Sequence, residues 1–129
     1  MIKTDILIIG AGPVGLFTVF EAGLMKLKCH LIDALPEAGG QLIEIYPKKP
    51  IYDIPGYPSV MAGELVDKLL SQAAPFKPGY TLGDRAETIV QQEGSFLVTT
   101  QSGVKHLAPV VIIAGGLGSL EPRKPQSNQ

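Results

Sequence analysis

The chain has 129 residues, enough for one domain, and its 45% apolar and 18% charged content is that of a globular protein. A formal net charge of −1 excludes the basic footprint of a nucleic-acid-binding protein. No apolar run has the length of a membrane span, no basic-then-apolar signal segment opens the chain, and the single cysteine, Cys29, excludes an internal disulfide or a CxxC redox pair.

The first element is a strand, Asp5 to Ile9, whose unbroken apolar run Ile6-Leu7-Ile8-Ile9 suits burial on both faces. It breaks into Gly10-Ala11-Gly12-Pro13-Val14-Gly15, and helix-like sequence follows. A Gly-x-Gly-x-x-Gly between a strand and a helix is the dinucleotide-binding fingerprint. Gly10 permits the tight turn, Gly12 leaves room for a pyrophosphate, and Gly15 lets the helix lie close to the strand. Pro13 suits a first helical turn, and the free N–H groups there, with the helix dipole, favour phosphate. The bland alternative is a glycine turn with no ligand. Because the fingerprint starts almost at the first residue, no presequence is expected, and a bacterial-type cytoplasmic protein is the simplest reading.

The fingerprint helix is expected from Pro13 to Met25, with Leu16, Val19, Phe20 and Leu24 facing the sheet and Gly23 at a close crossing. A second strand, Cys29 to Asp33, completes a βαβ unit and ends in an acid eighteen residues after Gly15. A carboxylate there accepts hydrogen bonds from an adenosine ribose. It would repel a 2′-phosphate, and no arginine follows at Ala34 or Leu35, so FAD or NAD is favoured over NADP. As a carboxylate at a strand end, Asp33 is expected to add little to the core. Cys29 reads as a small core residue, and His30 and His106 read as structural.

Gly39-Gly40-Gln41-Leu42 suggests backbone held close to something flat or charged, and the proline- and tyrosine-rich stretch Tyr46 to Pro58 reads as a stiff loop whose aromatics pack. A helix from Met61 to Ala74 carries the stripe Leu65, Val66, Leu69, Leu70 and Ala73. After a short strand, Tyr80 to Leu82, three segments (Ala86 to Gln92, Ser95 to Gln101, Val104 to Leu107) form an antiparallel insert turning at Glu93-Gly94 and Ser102-Gly103. Pro109 marks a change of sheet. Val110 to Ala114 is a second buried parallel strand, ending in Gly115-Gly116 where ligands bind in open α/β sheets. The expected fold is therefore α/β, a Rossmann-like doubly wound parallel sheet with a three-stranded antiparallel insert. Residues 1–121 form the domain, and 122–129 a polar tail or severed linker.

The order GAGPVGL, LID, GGQL, IYDIPGYP and VVIIAGGLGSLEPRKP resembles the thioredoxin-reductase-like (type 2) ferredoxin–NADP(H) reductases, over residues 2 to about 125. GGQL and YDIPGYP discriminate far better than the glycine fingerprint. The resemblance implies that FAD is the cofactor, with Gly10, Gly12, Pro13, Val14 and Gly15 along its pyrophosphate and Asp33 at the ribose. It places Gln41 and Tyr46 near the flavin side, the Ala86 backbone at the adenine and Leu120 beside the isoalloxazine ring, and counts Gly40, Leu42 and Gly115 among the cofactor-binding residues. Leu120 stands where the family often has phenylalanine, so ring stacking would be lost there. The implied activity is hydride transfer from NADPH to the flavin and electron transfer to ferredoxin or flavodoxin, in a homodimer without nucleic-acid or membrane partners.

Reductases of this family are over twice as long. No second Gly-x-Gly-x-x-Gly and no arginine pair for a 2′-phosphate occur here, so the chain is expected to be the first segment of such an enzyme, inactive alone and with an uncovered sheet edge. The alternatives are a stand-alone FAD- or NAD-binding module without catalysis, a fragment of a thioredoxin-reductase-type disulfide reductase, and half of an NAD-dependent dehydrogenase. GGQL and the hairpin insert argue against the last.

Overall fold

The computed structural model describes residues 1–40 and 48–115. Among these, three layers are stacked: two helices, a four-stranded parallel sheet and a four-stranded mixed sheet. The parallel sheet contains β2 (Ile6–Ile9), β3 (Cys29–Asp33), β6 (Gly79–Leu82) and β10 (Val110–Ile113), in the order β10-β2-β3-β6. The register sets Ile9 beside Ile32 and Ile113, and Asp33 beside Leu82.

The alternation of side chains along a strand divides β2 and β3 between two cores. Ile6, Ile8, Cys29 and Leu31 point toward helices α1 (Pro13–Leu24) and α2 (Ala62–Ala73). Leu7, Ile9 and Ile32 point the other way, onto Ala86, Val98 and Ala108 of the mixed sheet. An unbroken apolar run is therefore required: alternation would leave one interface polar. Each fully buried leucine or isoleucine in it contributes about 1.5–3 kcal/mol.

The mixed sheet departs from the expected insert. Its hairpin strands β7 (Ala86–Gln92), β8 (Ser95–Thr100) and β9 (Lys105–Ala108) are antiparallel, but β1 (Ile2–Lys3) adds a fourth strand, parallel to β9. The opening residues thus belong to one sheet and β2 to the other, an assignment that two residues of sequence cannot signal. The β7–β8 corner falls at Glu93-Gly94, both at positive φ as a tight two-residue turn needs. A bulge between Ala86 and Thr88 shifts the ladder. Pro109 separates β9 from β10 and the chain changes sheet there, as expected.

β10 is not buried on both faces. Among the described residues it is an edge strand, and Val110 and Ile113 are 45% and 60% exposed. Helix α1 begins with Pro13 at its first position and closes on Lys26, at φ 62, with Lys26 N–H bonded to Gly23 and Leu27 N–H to Ala22. That is a Schellman closure with lysine where glycine is usual. Leu16 and Val19 are buried on α1 as expected, whereas Leu24 is 59% exposed because Ala22 takes the inward position in the last turn. Gly23 does lie at a close approach: a Cβ there would strike the ring of Phe76, which meets Phe20 edge-on. On α2 the buried residues are Ala62, Leu65, Val66, Leu69 and Ala73.

The proline-rich stretch forms a small ladder, β4 (Pro50–Ile51) with β5 (Val60–Met61). Ile51 and Ile54 anchor it on the helical core, while Tyr52 is 71% exposed. Among the described residues of this stretch, isoleucines hold it down, and the expected packing is not made by Tyr52 or Tyr57. Residues 41–47 and 116–129, and with them Gln41, Leu42, Tyr46 and Leu120, lie outside the described residues.

Candidate functional site

The carboxyl ends of β2, β3 and β10 meet at the glycine turn. Gly10 sits at φ 118, and a Cβ there would collide with the Ala114 carbonyl and the Cα of Gly115. The Gly10 N–H donates to Ile32 and the Ala114 N–H to Ile9, both at 2.8 Å, so the turn is tied to both neighbouring strands. A Cβ on Gly15 would run into the Gly10 carbonyl oxygen and stand 3.3 Å from Cγ2 of Ile8. This glycine sets how near α1 lies to β2.

Gly12 is different. A Cβ on it would meet nothing within 4 Å, so the turn is open at this point. Gly12 is also the N-cap of α1 and makes no side-chain capping bond. The Val14 and Gly15 N–H groups belong to the first turn of α1, at the positive end of the helix dipole, where an α-helix has no intrahelical acceptor for them. Gly40 forms the opposite lip: at φ 62, its Cβ position lies 3.2 Å from the Gly12 Cα. The Gly39 N–H donates to the Ala11 carbonyl at 2.7 Å, which holds this lip in place.

Asp33 closes the third side. It is only 4% exposed. Oδ2 accepts the Ala11 N–H at 2.7 Å and Oδ1 accepts the Leu35 N–H at 2.9 Å. Each carboxylate oxygen keeps a second acceptor direction. The Asp33 carbonyl accepts the Asp84 N–H at 3.1 Å, and the Leu35 carbonyl accepts the Gly83 N–H at 2.8 Å, so the turn into β7 is fastened beside Asp33. Ala86 follows that turn, fully buried against Ile9 and Ile32. The structure thus gathers Gly10, Gly12, Pro13, Val14, Gly15, Asp33, Gly40 and Gly115 around one opening, with Ala86 on its flank. Sequence reasoning missed Ala11 and Leu35, which act through backbone groups and carry no residue-type signal, whereas Gly39, at φ 118, belongs to the glycine pair it singled out.

No family model matches the chain. Curated relatives do. Over 126 residues, 97% of this chain, it is 77% identical to ferredoxin–NADP reductase 1 of Christiangramia forsetii. Over the same length it is 71% identical to the ferredoxin–NADP reductase of Flavobacterium johnsoniae. The chain spans 36% of the length of each of these two relatives. The crystal structure of thioredoxin reductase from Streptococcus pyogenes superposes with a TM-score of 0.76 at 27% identity, over 88% of this chain and 35% of that one. That of T. acidophilum thioredoxin reductase gives 0.76 at 25% identity, over 90% and 36%.

The chain matches a segment of the thioredoxin-reductase-like ferredoxin–NADP reductases. The identity to named reductases and the shared fold of the thioredoxin reductases agree on this, and together they bear out both the resemblance read from the motifs and the fold class. None of the helices among the described residues is long and apolar enough to cross a membrane.

One further cluster lies at the inner face of the parallel sheet. His30 of β3 and His106 of β9 both point their Nε2 atoms at the Thr81 hydroxyl of β6, at 2.7 and 2.9 Å. The imidazole centroids are 5.0 Å apart. His106 is fully buried, and its Nδ1 has no hydrogen-bond partner. Burial, and then the proximity of His106, push His30 down to about 4. Burial likewise lowers His106, against smaller raising effects of the Val98 backbone, Asp84 and the Val104 backbone. Both histidines are structural in position, as expected. Thr81 had no sequence signal.

Proposed function

We propose that this chain is the FAD-binding segment of a ferredoxin–NADP(H) reductase, and that the opening over Gly12 receives the pyrophosphate. The observation that carries this reading is the opening itself: the N-terminal turn of α1 without a side-chain cap, unobstructed space above Gly12, and the Asp33 carboxylate alongside. Phosphate oxygens would take the Val14 and Gly15 N–H groups. Ribose hydroxyls would donate to the remaining acceptor directions of Asp33, which disfavours a 2′-phosphate and hence NADP at this site. The Ala86 backbone would meet the adenine, Gly40 and Gly115 would border the pyrophosphate beside Gly12 and Gly10, and by the resemblance Gln41, Leu42, Tyr46 and Leu120 would contact the cofactor toward its flavin end.

When bound, FAD supplies hydride acceptance from NADPH and single-electron donation to ferredoxin or flavodoxin. The chain's residues position it and exclude water, and no general acid or base is needed among them. With one fingerprint in residues 1–129, the NADPH site is assigned to other residues of a reductase, which acts as a soluble cytoplasmic homodimer. The likeness to thioredoxin reductases favours a disulfide reductase as the second reading. That activity would require a redox-active cysteine pair elsewhere in the protein, and reduction of a disulfide substrate by the reductase at the expense of NADPH would favour it.

The cofactor released from the reductase is expected to chromatograph as FAD, because the site addresses the ADP half that FMN lacks. FMN would overturn the assignment. Mixed with FAD, NADPH and ferricyanide, the 129-residue chain should give no turnover above free flavin, since hydride transfer needs the nicotinamide held in contact with the flavin.

A further inference from the structure

The His30–Thr81–His106 cluster allows only a few arrangements of protons. Two Nε2 atoms approach one hydroxyl, and each contact needs one hydrogen between its heavy atoms. Thr81 supplies at most one, so at least one imidazole carries its hydrogen on Nε2. The unpartnered Nδ1 of His106 decides which. If His106 accepted from Thr81, a buried N–H would be left without an acceptor. If it donates, only a lone pair is left, which is the smaller cost. The order is therefore His106 Nε2–H to Thr81 Oγ1, and Thr81 O–H to His30 Nε2.

An added proton disturbs this order. With His30 protonated on Nε2, two N–H donors face one hydroxyl oxygen, and the hydroxyl hydrogen loses its acceptor. The surroundings offer little help. β1 and β8 present Ile2 and Val98 at the register of His106, and β2 and β6 present Leu7 and Gly79 at the register of His30. The charged groups acting on the pair are Asp84, on the turn before β7, which favours a proton on His106, and His106 itself, which disfavours one on His30; the Val98 and Val104 backbones also favour a proton on His106, less than burial opposes it. His106 belongs to the mixed sheet, and His30 and Thr81 to the parallel sheet, so the bonds cross the layer boundary.

We infer that this triad is an acid-sensitive joint between the two sheets: neutral, it fastens β9 to β3 and β6, and a proton on either imidazole releases the mixed sheet. The inference does not depend on FAD binding. Its consequence is that the β7–β9 sheet opens in acid before the parallel sheet does.

Hydrogen exchange on the full chain, read by mass spectrometry and corrected for intrinsic exchange chemistry, tests it. Between pH 6 and pH 5, opening of residues 86–108 should rise about tenfold for each histidine that takes a proton only in the open state. Residues 29–33 should change less. In the double variant His30→Gln/His106→Gln the rise should vanish, and if that variant does not fold, the wild-type slope decides alone. Nitrogen-detected NMR at pH 7 should find the His106 hydrogen on Nε2. A pH-independent opening, an equal rise in both sheets, or a His106 hydrogen on Nδ1 would each overturn the proposal.

Discussion

The Ala11 N–H donates to Oδ2 of Asp33 across 2.7 Å, in a buried bond between residues 22 positions apart. It joins the glycine turn to the end of the neighbouring strand. Asp33 is therefore part of the frame of the site, not an acid at its margin, and the expectation that it adds little to the core is corrected. Its burial leaves two backbone N–H groups dependent on it.

Asp33→Ala should act on both levels. FAD affinity of the reductase should fall by about 1–3 kcal/mol through loss of a charged acceptor. Stability should fall by a further amount of about 1–3 kcal/mol, because the Ala11 and Leu35 N–H groups lose their partners. Asp33→Asn retains one acceptor oxygen and should recover part of the stability but little of the affinity. Titration of apoprotein and urea denaturation separate the two effects, and equal stability of Asp33→Ala and wild type would remove the framing role.

Gly15→Ala places a Cβ in the Gly10 carbonyl oxygen, so α1 must move away from β2. The expected cost is about 1–3 kcal/mol, as for other overpacked sites. FAD affinity should fall with it, since the first-turn N–H groups move with the helix. Gly12→Ala meets no protein atom and should leave stability nearly unchanged while weakening FAD binding. Comparing the two melting temperatures and affinities checks the division of roles between them.

Gly79→Ala is expected to destabilise. Its Cβ would strike the His30 ring at Nδ1 and Cε1. His30 would then be pushed off Thr81, breaking the contact at 2.7 Å. A loss of at least about 1 kcal/mol in a denaturant titration is expected, with the imidazole signals of His30 shifted.

Stability should also fall on mild acidification. His30 is held near 4 against an ordinary 6.5. Above about pH 6.5 neither state takes a proton. Below it the unfolded chain takes one that the native state refuses, so stability falls until native His30 titrates near pH 4. The slope is at most about 1.4 kcal/mol per pH unit per histidine, and less for His30 because it keeps some exposure. The urea midpoint should be flat from pH 8 to 7 and drop between about 6.5 and 5, with a shallower drop in His30→Gln. A midpoint that does not move over that window would show that the histidines are not held neutral by the fold.

Much of this molecule was legible in the sequence because its signals are local. A glycine, a β-branched run or a proline limits its own backbone whatever lies around it. The βαβ unit, the hairpin corner at Glu93-Gly94, the change of sheet at Pro109 and the stripe of α2 all rest on such limits. The same holds for the motifs that resemble the reductases, because they are short and contiguous.

The tertiary structure decided what depends on residues far apart in the chain. Only packing brings Thr81 between His30 and His106, and only packing turns Asp33 toward the Ala11 N–H. β1 joins β9, and β10 stands at an edge, because sheet neighbours are chosen by the closest available partner and not by propensity. The physical reason is range: backbone preference acts within a few residues, whereas hydrogen bonds and burial are settled by whatever the fold sets within about 4 Å.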